Sequence, residues 1–272
     1  MTDRLPFFEL DYDTPVDSLL QSRLEALDVS LRNRLGIDPQ QTAVGWFDVR
    51  TSRLAMLRPD VEFYAASVAK IGILLTFFQM HAGGPLDWIT RHELGRMIKA
   101  SSNELAAKFS QRLGLAQIQQ VLASYHFYDA QRGGGLWVGK HYGETGERIG
   151  SPVGDHSHAA TVRQLLRFYL LLEQGRLVSP AASAGMREIF ASPEIPHDDI
   201  KFVKALNGRG VSILRKWGSW EDWLHDTAII IGAQRHYILV ALTHHARGDD
   251  YLAALAGAID DSEGLNSTVG IQ

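Results

Sequence analysis

Cysteine is absent from this 272-residue chain, and no long run of charges of one sign occurs in it. Without cysteine there is no disulfide bond, no thiol nucleophile and no cysteine-ligated metal site. The 27 lysines and arginines nearly balance the 31 aspartates and glutamates, which leaves a net charge of −4. This distribution indicates neither a nucleic-acid partner nor a membrane surface.

Long uninterrupted apolar runs are missing as well. Those that occur lie inside amphipathic or core patterns and are too short to span a bilayer. Acidic residues interrupt the apolar stretches of residues 1–13, which is not the pattern of a signal peptide. We therefore expect a soluble, cytoplasmic protein from the sequence as it stands. A leader removed ahead of residue 1 would instead place it in the periplasm or outside the cell.

Hydrophobic periodicity predicts a helical segment between two groups of strands. Helices are predicted at 15–36, 67–81, 90–99, 102–113, 116–125, 161–174, 179–190, about 197–206 and 249–261; strands at 42–49, 53–58, 211–217, 224–231 and 236–244. The terminal strands can share one antiparallel sheet flanked by terminal helices, with an all-α domain inserted, which is an α+β fold. The predicted sheet domain comprises 1–62 and 207–272; the all-helical domain is 63–206, with an omega-like loop at 129–158.

The first chemical motif is Ser67-Val68-Ala69-Lys70 at a predicted helix start. Residues three apart on a helix share one face, so the hydroxyl and the amine are neighbours. A serine hydroxyl becomes a nucleophile when a base takes its proton, and a lysine whose pKa is lowered by burial or a second cation is such a base. The backbone N–H of Ser67 at the helix N-terminus is an oxyanion donor. A capping serine followed by an ordinary helix lysine produces the same four letters.

Two further motifs follow in order. Ser101-Ser102-Asn103 lies at a helix junction, where Ser101 can shuttle a proton and the Asn103 amide can hold a substrate, although helix capping also explains the motif. Lys216-Trp217-Gly218-Ser219 ends a predicted strand. There Gly218 lets a substrate lie against the strand, Lys216 offers a charge for a carboxylate and lowers the pKa of Lys70, and the Ser219 N–H is a second oxyanion donor.

Together these are the Ser-x-x-Lys, Ser-x-Asn and Lys-x-Gly motifs of penicillin-recognising serine enzymes, and residues 15–262 resemble class A β-lactamases and their serine-hydrolase relatives. The resemblance implies a two-step acyl transfer without a cofactor. Ser67 attacks a β-lactam amide, or a related amide or ester, Ser101 relays a proton to the leaving nitrogen, and water releases the acyl group. A small-molecule substrate and a part in β-lactam catabolism and antibiotic resistance are implied in turn.

The omega-like loop departs from this family. Class A enzymes deacylate with a glutamate in a Glu-x-x-Leu-Asn motif, which this chain lacks. Glu144 and Glu147 fall in the corresponding loop, and register favours Glu144 slightly, although a solvated loop carboxylate is an equal interpretation. Lys140 and Tyr142 are further candidates, because an amine and a phenol both move protons.

Two other substitutions bear on the site. Trp217 stands where the family has a hydroxyl residue, so one contact to a substrate carboxylate is lost and the indole narrows the site or stacks on substrate. Ser102 stands where the family has an acidic residue, and the role of that acidic residue is structural. The pairs His156-x-His158 and His244-His245 lack a carboxylate–histidine pattern, and we expect no metal.

The missing glutamate motif leaves other functions open. The chain could be a penicillin-binding sensor or acyl-trapping protein that is acylated at Ser67 without efficient release. It could also be a cytoplasmic esterase or, less in keeping with its compact size, a transpeptidase or carboxypeptidase.

Overall fold

The structure is a computed structural model that describes Leu5 and residues 8–81, 85–143, 146 and 148–265. Its helices are α1 Ser18–Leu35, α2 Lys70–Met80, α3 Trp88–Ile98, α4 Asn103–Leu113, α5 Leu115–Ser124, α6 Val162–Glu173, α7 Pro180–Ala191, α8 Phe202–Leu206 and α9 Gly248–Leu265. Its strands are β1 Thr42–Asp48, β2 Arg53–Leu57, β3 Phe63–Tyr64, β4 Tyr128–Asp129, β5 Gly134–Gly135, β6 Trp137–Val138, β7 His158–Ala160, β8 Val211–Trp220, β9 Trp223–Gly232 and β10 Arg235–His244.

Strands from both ends of the chain form one five-stranded antiparallel sheet in the order β2-β1-β10-β9-β8. The register pairs Gly45 with Val240 and Trp217 with Asp226. Strand β8 is an edge strand, so one side of its backbone is free to face the helical segment. The predicted sheet of terminal strands is therefore confirmed.

Each face of the sheet carries its own hydrophobic core, because side chains alternate along a strand. Phe47 packs with the helical segment, whereas its neighbour Trp46 packs in a second core with residues of α1 and α9. Helix α6 crosses the first face, and α1 and α9 cover the second. The sheet thus lies between two helical layers, while the division into two domains stays a prediction.

Helix α1 shows how local signals set the boundaries. Its N-cap is Asp17, whose carboxylate accepts a hydrogen bond from the Leu20 N–H at 2.8 Å. The helix therefore starts later than residue 15, where the sequence predicted its beginning. Gly36 ends the helix in the left-handed conformation, at φ 70°, as predicted.

Three expectations for the helical segment need correction. A single α-helix was expected over Ser67–His81, but a 3₁₀ turn, Ala66–Ala69, precedes α2. The helix expected from about His197 is reduced to α8, because Lys201 has φ 55°, outside the helical region. The all-helical segment 63–206 also contains the short strands β3 to β7.

The omega-like loop is tied to the body of the protein by one carboxylate. Glu62 accepts hydrogen bonds from the Tyr128 hydroxyl and the Gly154 N–H, both at 2.9 Å, and from the Ser151 hydroxyl. These bonds hold the loop beside the start of β7, at the edge of the site described below. Over the described ranges, no helix is long and apolar enough to cross a membrane.

Candidate active site

Ser67 lies at the junction between the edge of the sheet and the helical segment. Its 3₁₀ turn begins at Ala66, which has the left-handed φ of 45° that is unfavourable for a residue with a Cβ. Strand β8 passes so close that a Cβ built on Gly218 would lie 3.0 Å from the Ser67 nitrogen and 2.9 Å from the Ala65 oxygen. Only glycine allows this approach, which brings the strand edge against the turn that carries Ser67.

Lys70 is fully buried beneath Ser67. Its Nζ lies 2.6 Å from the Ser101 carbonyl oxygen, 2.7 Å from Asn103 Oδ1 and 3.0 Å from Ser67 Oγ. The first two partners are acceptors, so they take two N–H hydrogens of the amine. In a neutral amine the remaining lone pair is then directed at a hydroxyl proton, and Ser67 is the nearest hydroxyl. This arrangement is that of a base and its nucleophile.

Burial supports the same assignment, since it lowers the pKa of Lys70 to about 7. Removing an ammonium from water penalises the charged form, and among the described residues no carboxylate offsets the penalty. The sequence predicted a contribution from Lys216, but burial is the cause that accounts for the shift. The pKa of Lys216 itself is lowered well below its ordinary value by burial and by the charges of Lys70 and Arg215.

Ser101 joins the two lysines. Its hydroxyl lies 3.2 Å from Nζ of Lys70 and 2.9 Å from Nζ of Lys216, and its backbone has φ 57°. Lys216 also donates to the Trp217 carbonyl oxygen at 2.6 Å. A hydroxyl between two amines can accept a proton on one side and release one on the other, which suits a relay.

Ser67 opens onto a cavity of about 490 Å³. The described residues that line it are Tyr64, Ala66, Ser67, Asn103, Lys140, His141, Tyr142, Gly143, Ser157, His158, Ser219 and Trp220. The cavity brings together predicted residues from all three motifs and from the omega-like loop. No aspartate or glutamate is part of this described lining.

Most of the predicted site residues lie where the sequence placed them. Asn103 is exposed on the cavity wall, with its Oδ1 on Lys70 and its amide NH₂ left for a substrate. Lys140 and Ser219 also line the wall. Ser102 caps α4, since its hydroxyl accepts from the Leu105 N–H at 3.2 Å.

Two predicted residues behave differently. The Tyr142 ring borders the cavity, but its hydroxyl donates to the Ala66 carbonyl oxygen at 2.9 Å, and burial raises its pKa well above the ordinary value. A phenol so engaged is not suited to proton transfer. Trp217 is not part of the cavity lining; its ring centroid instead lies 5.0 Å from Nζ of Lys216 and 4.9 Å from Nζ of Lys201. Trp220 lines the cavity in its place.

Glu144 and Glu147 lie outside the described residues, so the structure does not test the predicted deacylation base. His158 is a lining residue that no motif indicated. It is buried, stacks on Tyr142 with centroids 4.2 Å apart, and its Nδ1 has no hydrogen-bond partner among the described residues. Burial, with the charges of Lys70 and Lys140, lowers its pKa to about 3, so the imidazole is neutral. In the sequence, only the position of His158 at the end of the omega-like loop could have suggested that it lines the cavity.

Across the described residues, no group of three or more histidine, aspartate and glutamate side chains is arranged to hold an ion. His156 and His158 instead lie in a cluster of aromatic rings with Tyr64.

A sequence model described as the beta-lactamase enzyme family matches residues 89–261. This match covers more than half of the chain, and the chain belongs to that family. The matched range includes Ser101, Asn103 and Lys216, whereas Ser67 and Lys70 precede it. No curated protein matches the chain by sequence.

Solved β-lactamases and PBP-A share the fold. The β-lactamase from Sphaerobacter thermophilus has a TM-score of 0.70 at 14% identity, over 90% of this chain and 98% of that chain. The class A β-lactamase from Mycobacterium abscessus has a TM-score of 0.69 at 16% identity, over 90% of this chain and 99% of that chain. PBP-A has a TM-score of 0.66 at 16% identity, over 88% of this chain and 96% of that chain. At such identities the likeness shows the fold alone; it confirms the α+β fold and the resemblance to class A β-lactamases.

Proposed function

We propose that this protein is a serine hydrolase that opens a β-lactam amide, or a related amide or ester, through an acyl-enzyme on Ser67. The observation that carries the proposal is the Lys70 amine, which is buried, has two carbonyl acceptors and lies 3.0 Å from Ser67 Oγ. A fully buried lysine amine is costly for a fold, and such groups concentrate at functional sites.

In acylation, neutral Lys70 takes the hydroxyl proton of Ser67 as Oγ adds to the carbonyl carbon. The N–H groups of Ser67 and Ser219 stabilise the oxyanion that forms. The C–N bond then breaks, Ser101 passes its proton to the leaving nitrogen, and the ammonium of Lys70 returns a proton to Ser101. Lys216 keeps the Ser101 hydroxyl oriented at 2.9 Å, while its amine is completely buried and outside the described cavity lining.

In deacylation, water adds to the ester carbonyl, Oγ leaves and regains its proton, and the acid product departs. We propose Glu144 as the group that activates this water, on the sequence register alone. Glu147, Lys140 and His158 are alternatives in the loop and at its border, because each carries a nitrogen or a carboxylate that can accept a proton.

A second candidate function is an acyl-trapping protein or sensor. The missing Glu-x-x-Leu-Asn motif favours it, because a slow deacylation step leaves the acyl group on Ser67. The two functions share acylation and differ only in release.

Turnover of a chromogenic cephalosporin tests the proposal. We expect the wild-type protein to hydrolyse it and Ser67→Ala to abolish hydrolysis, with Ser22→Ala, an exposed serine of α1, as the matched control. A persistent mass adduct without turnover supports the acyl-trapping alternative. If several β-lactams give neither an adduct nor turnover while simple esters are hydrolysed, β-lactams are excluded as substrates and the esterase function is supported.

A further inference from the structure

Two buried side chains outside the reacting triad of Ser67, Lys70 and Ser101 each donate to a backbone carbonyl next to the oxyanion donors. The Tyr142 hydroxyl donates to the Ala66 carbonyl oxygen at 2.9 Å. The Lys201 amine donates to the Gly218 carbonyl oxygen at 3.1 Å.

Each of these carbonyls belongs to the peptide unit that supplies an oxyanion N–H. The Ala66 carbonyl and the Ser67 N–H are the two ends of one peptide plane, and the Gly218 carbonyl and the Ser219 N–H are the two ends of another. A trans peptide directs its C=O and N–H to opposite sides, and no cis peptide occurs in the described ranges. A donor fixed on the carbonyl side therefore sets the direction in which the N–H points.

Tyr142 is held firmly in its role. It is 7% exposed, and its ring lies parallel to the His158 imidazole at 8°, with Nζ of Lys70 4.6 Å from its centroid. The loop residue thus fastens the strained Ala66 peptide rather than reaching into the cavity with its hydroxyl.

Lys201 is held as firmly. Its side chain is completely buried, its backbone has φ 55°, and Oδ1 of Asp249 lies 3.6 Å from its Nζ. It also donates to the Ser219 hydroxyl. A buried lysine amine and a strained backbone are both costly, and such costs persist where the surroundings fix a functional geometry.

We propose that Tyr142 and Lys201 are positioning residues that fix and polarise the peptide units of the two oxyanion donors, Ser67 and Ser219. A hydrogen bond to a peptide oxygen strengthens the N–H of the same peptide as a donor. A donor fixed before reaction needs no reorganisation when the oxyanion forms. The inference rests on the proposed function, because it assigns the oxyanion hole of that reaction.

The substitutions Tyr142→Phe and Lys201→Met remove one donor each. Tyr128→Phe and Lys99→Met are matched controls: the Tyr128 hydroxyl donates to Glu62, and buried Lys99 donates to the Ser192 carbonyl oxygen. Lys201→Arg keeps a cationic donor and should restore part of the effect.

The amide ¹⁵N chemical shifts of Ser67 and Ser219 in the unliganded protein test the inference without any substrate. We expect Tyr142→Phe to move the Ser67 signal upfield and Lys201→Met the Ser219 signal, with neither moved by the controls. Folded variants whose two amide signals stay at the wild-type positions would overturn the inference, whatever the protein hydrolyses.

The acyl-enzyme gives the second readout. Each variant should acylate roughly tenfold more slowly, less than the loss of a direct oxyanion donor, with little change in substrate affinity. The infrared stretch of the acyl carbonyl should shift to higher wavenumber because its hydrogen bonds weaken. A Lys201→Met defect confined to affinity for substrates with a carboxylate would overturn the positioning role. A wild-type protein that is never acylated would contradict the proposed function instead, and the amide shifts would still decide the inference.

Discussion

The amine of Lys70 and the hydroxyl of Ser67 lie 3.0 Å apart. The amine is buried, and it donates hydrogen bonds to the carbonyl oxygens of the Ser101 backbone and the Asn103 side chain. Burial lowers the pKa of Lys70 to about 7, so the amine is protonated below that pH and neutral above it. Only the neutral amine accepts the Ser67 proton.

Acylation should therefore depend on pH in a defined direction. We expect the acylation rate constant to rise with pH through about 7 and then to level off. Stopped-flow acylation between roughly pH 5 and 9 measures it. Lys70→Arg should be inactive throughout, since a guanidinium stays charged. A rate that falls as pH rises through this window would show that Lys70 does not act as the base.

Ser101→Ala should slow acylation by about 10²-fold, the usual contribution of a proton-transfer group. The variant removes the hydroxyl that Lys70 and Lys216 share at 3.2 and 2.9 Å. Ser102→Ala is the matched control: it removes the cap of α4, which should lower the free energy of unfolding by about 1 kcal/mol and leave acylation near the wild-type rate. Equal acylation rates in the two variants would refute the relay.

Gly218→Ala should abolish most acylation while the protein still folds. The added Cβ would lie 2.9 Å from the Ala65 oxygen and 3.0 Å from the Ser67 nitrogen, so strand β8 must move away from the turn. Gly257→Ala is the control, because its nearest neighbour would be a side-chain atom 3.5 Å away. Acylation kinetics and thermal unfolding of both variants check this, and a fully active Gly218→Ala protein would contradict the close approach.

Glu62→Gln should destabilise the protein by about 1–3 kcal/mol, because the carboxylate accepts bonds from Tyr128, Ser151 and Gly154 at the base of the omega-like loop. The amide of glutamine can accept only some of these hydrogen bonds, because its NH₂ group is a donor. Urea unfolding measures the change, against Glu25→Gln at an exposed position of α1, for which we expect almost none. Equal stability of the two variants would mean that the loop anchor contributes nothing.

Much of the fold was readable in the sequence because its signals are local. Gly36 and Ser102 mark helix ends, and alternating apolar residues mark the sheet. Likewise, the three motifs located Ser67, Lys70, Ser101, Asn103 and Lys216, which the structure brings together.

The parts that the sequence did not reveal depend on tertiary contacts. Lys201 has no motif, and its φ of 55° interrupts the helix predicted from about His197. The contact of its amine with the Gly218 carbonyl is visible only in the structure. Tyr142 was predicted to be a candidate for proton transfer, yet its hydroxyl donates to the Ala66 carbonyl oxygen. Trp217 was expected in the cavity, but two neighbouring amines lie beside its ring instead.

Deacylation gives a further prediction that rests on sequence. Glu144→Gln should leave acylation intact and slow release of the acyl group by about 10²-fold or more, as expected when a general base is lost. Glu147→Gln is the matched control in the same loop. Time-resolved mass spectrometry of the acyl-enzyme measures release. Unchanged release in Glu144→Gln would exclude it as the base and direct attention to Glu147 or His158.

The most direct test of the account is the position of the covalent bond. The protein is incubated with a β-lactam, quenched within the acylation phase, digested and mapped by mass spectrometry. We expect one equivalent of adduct on the peptide that contains Ser67, and none in Ser67→Ala. An adduct on a different residue, or one that persists in Ser67→Ala, would contradict the assignment of Ser67 as the nucleophile.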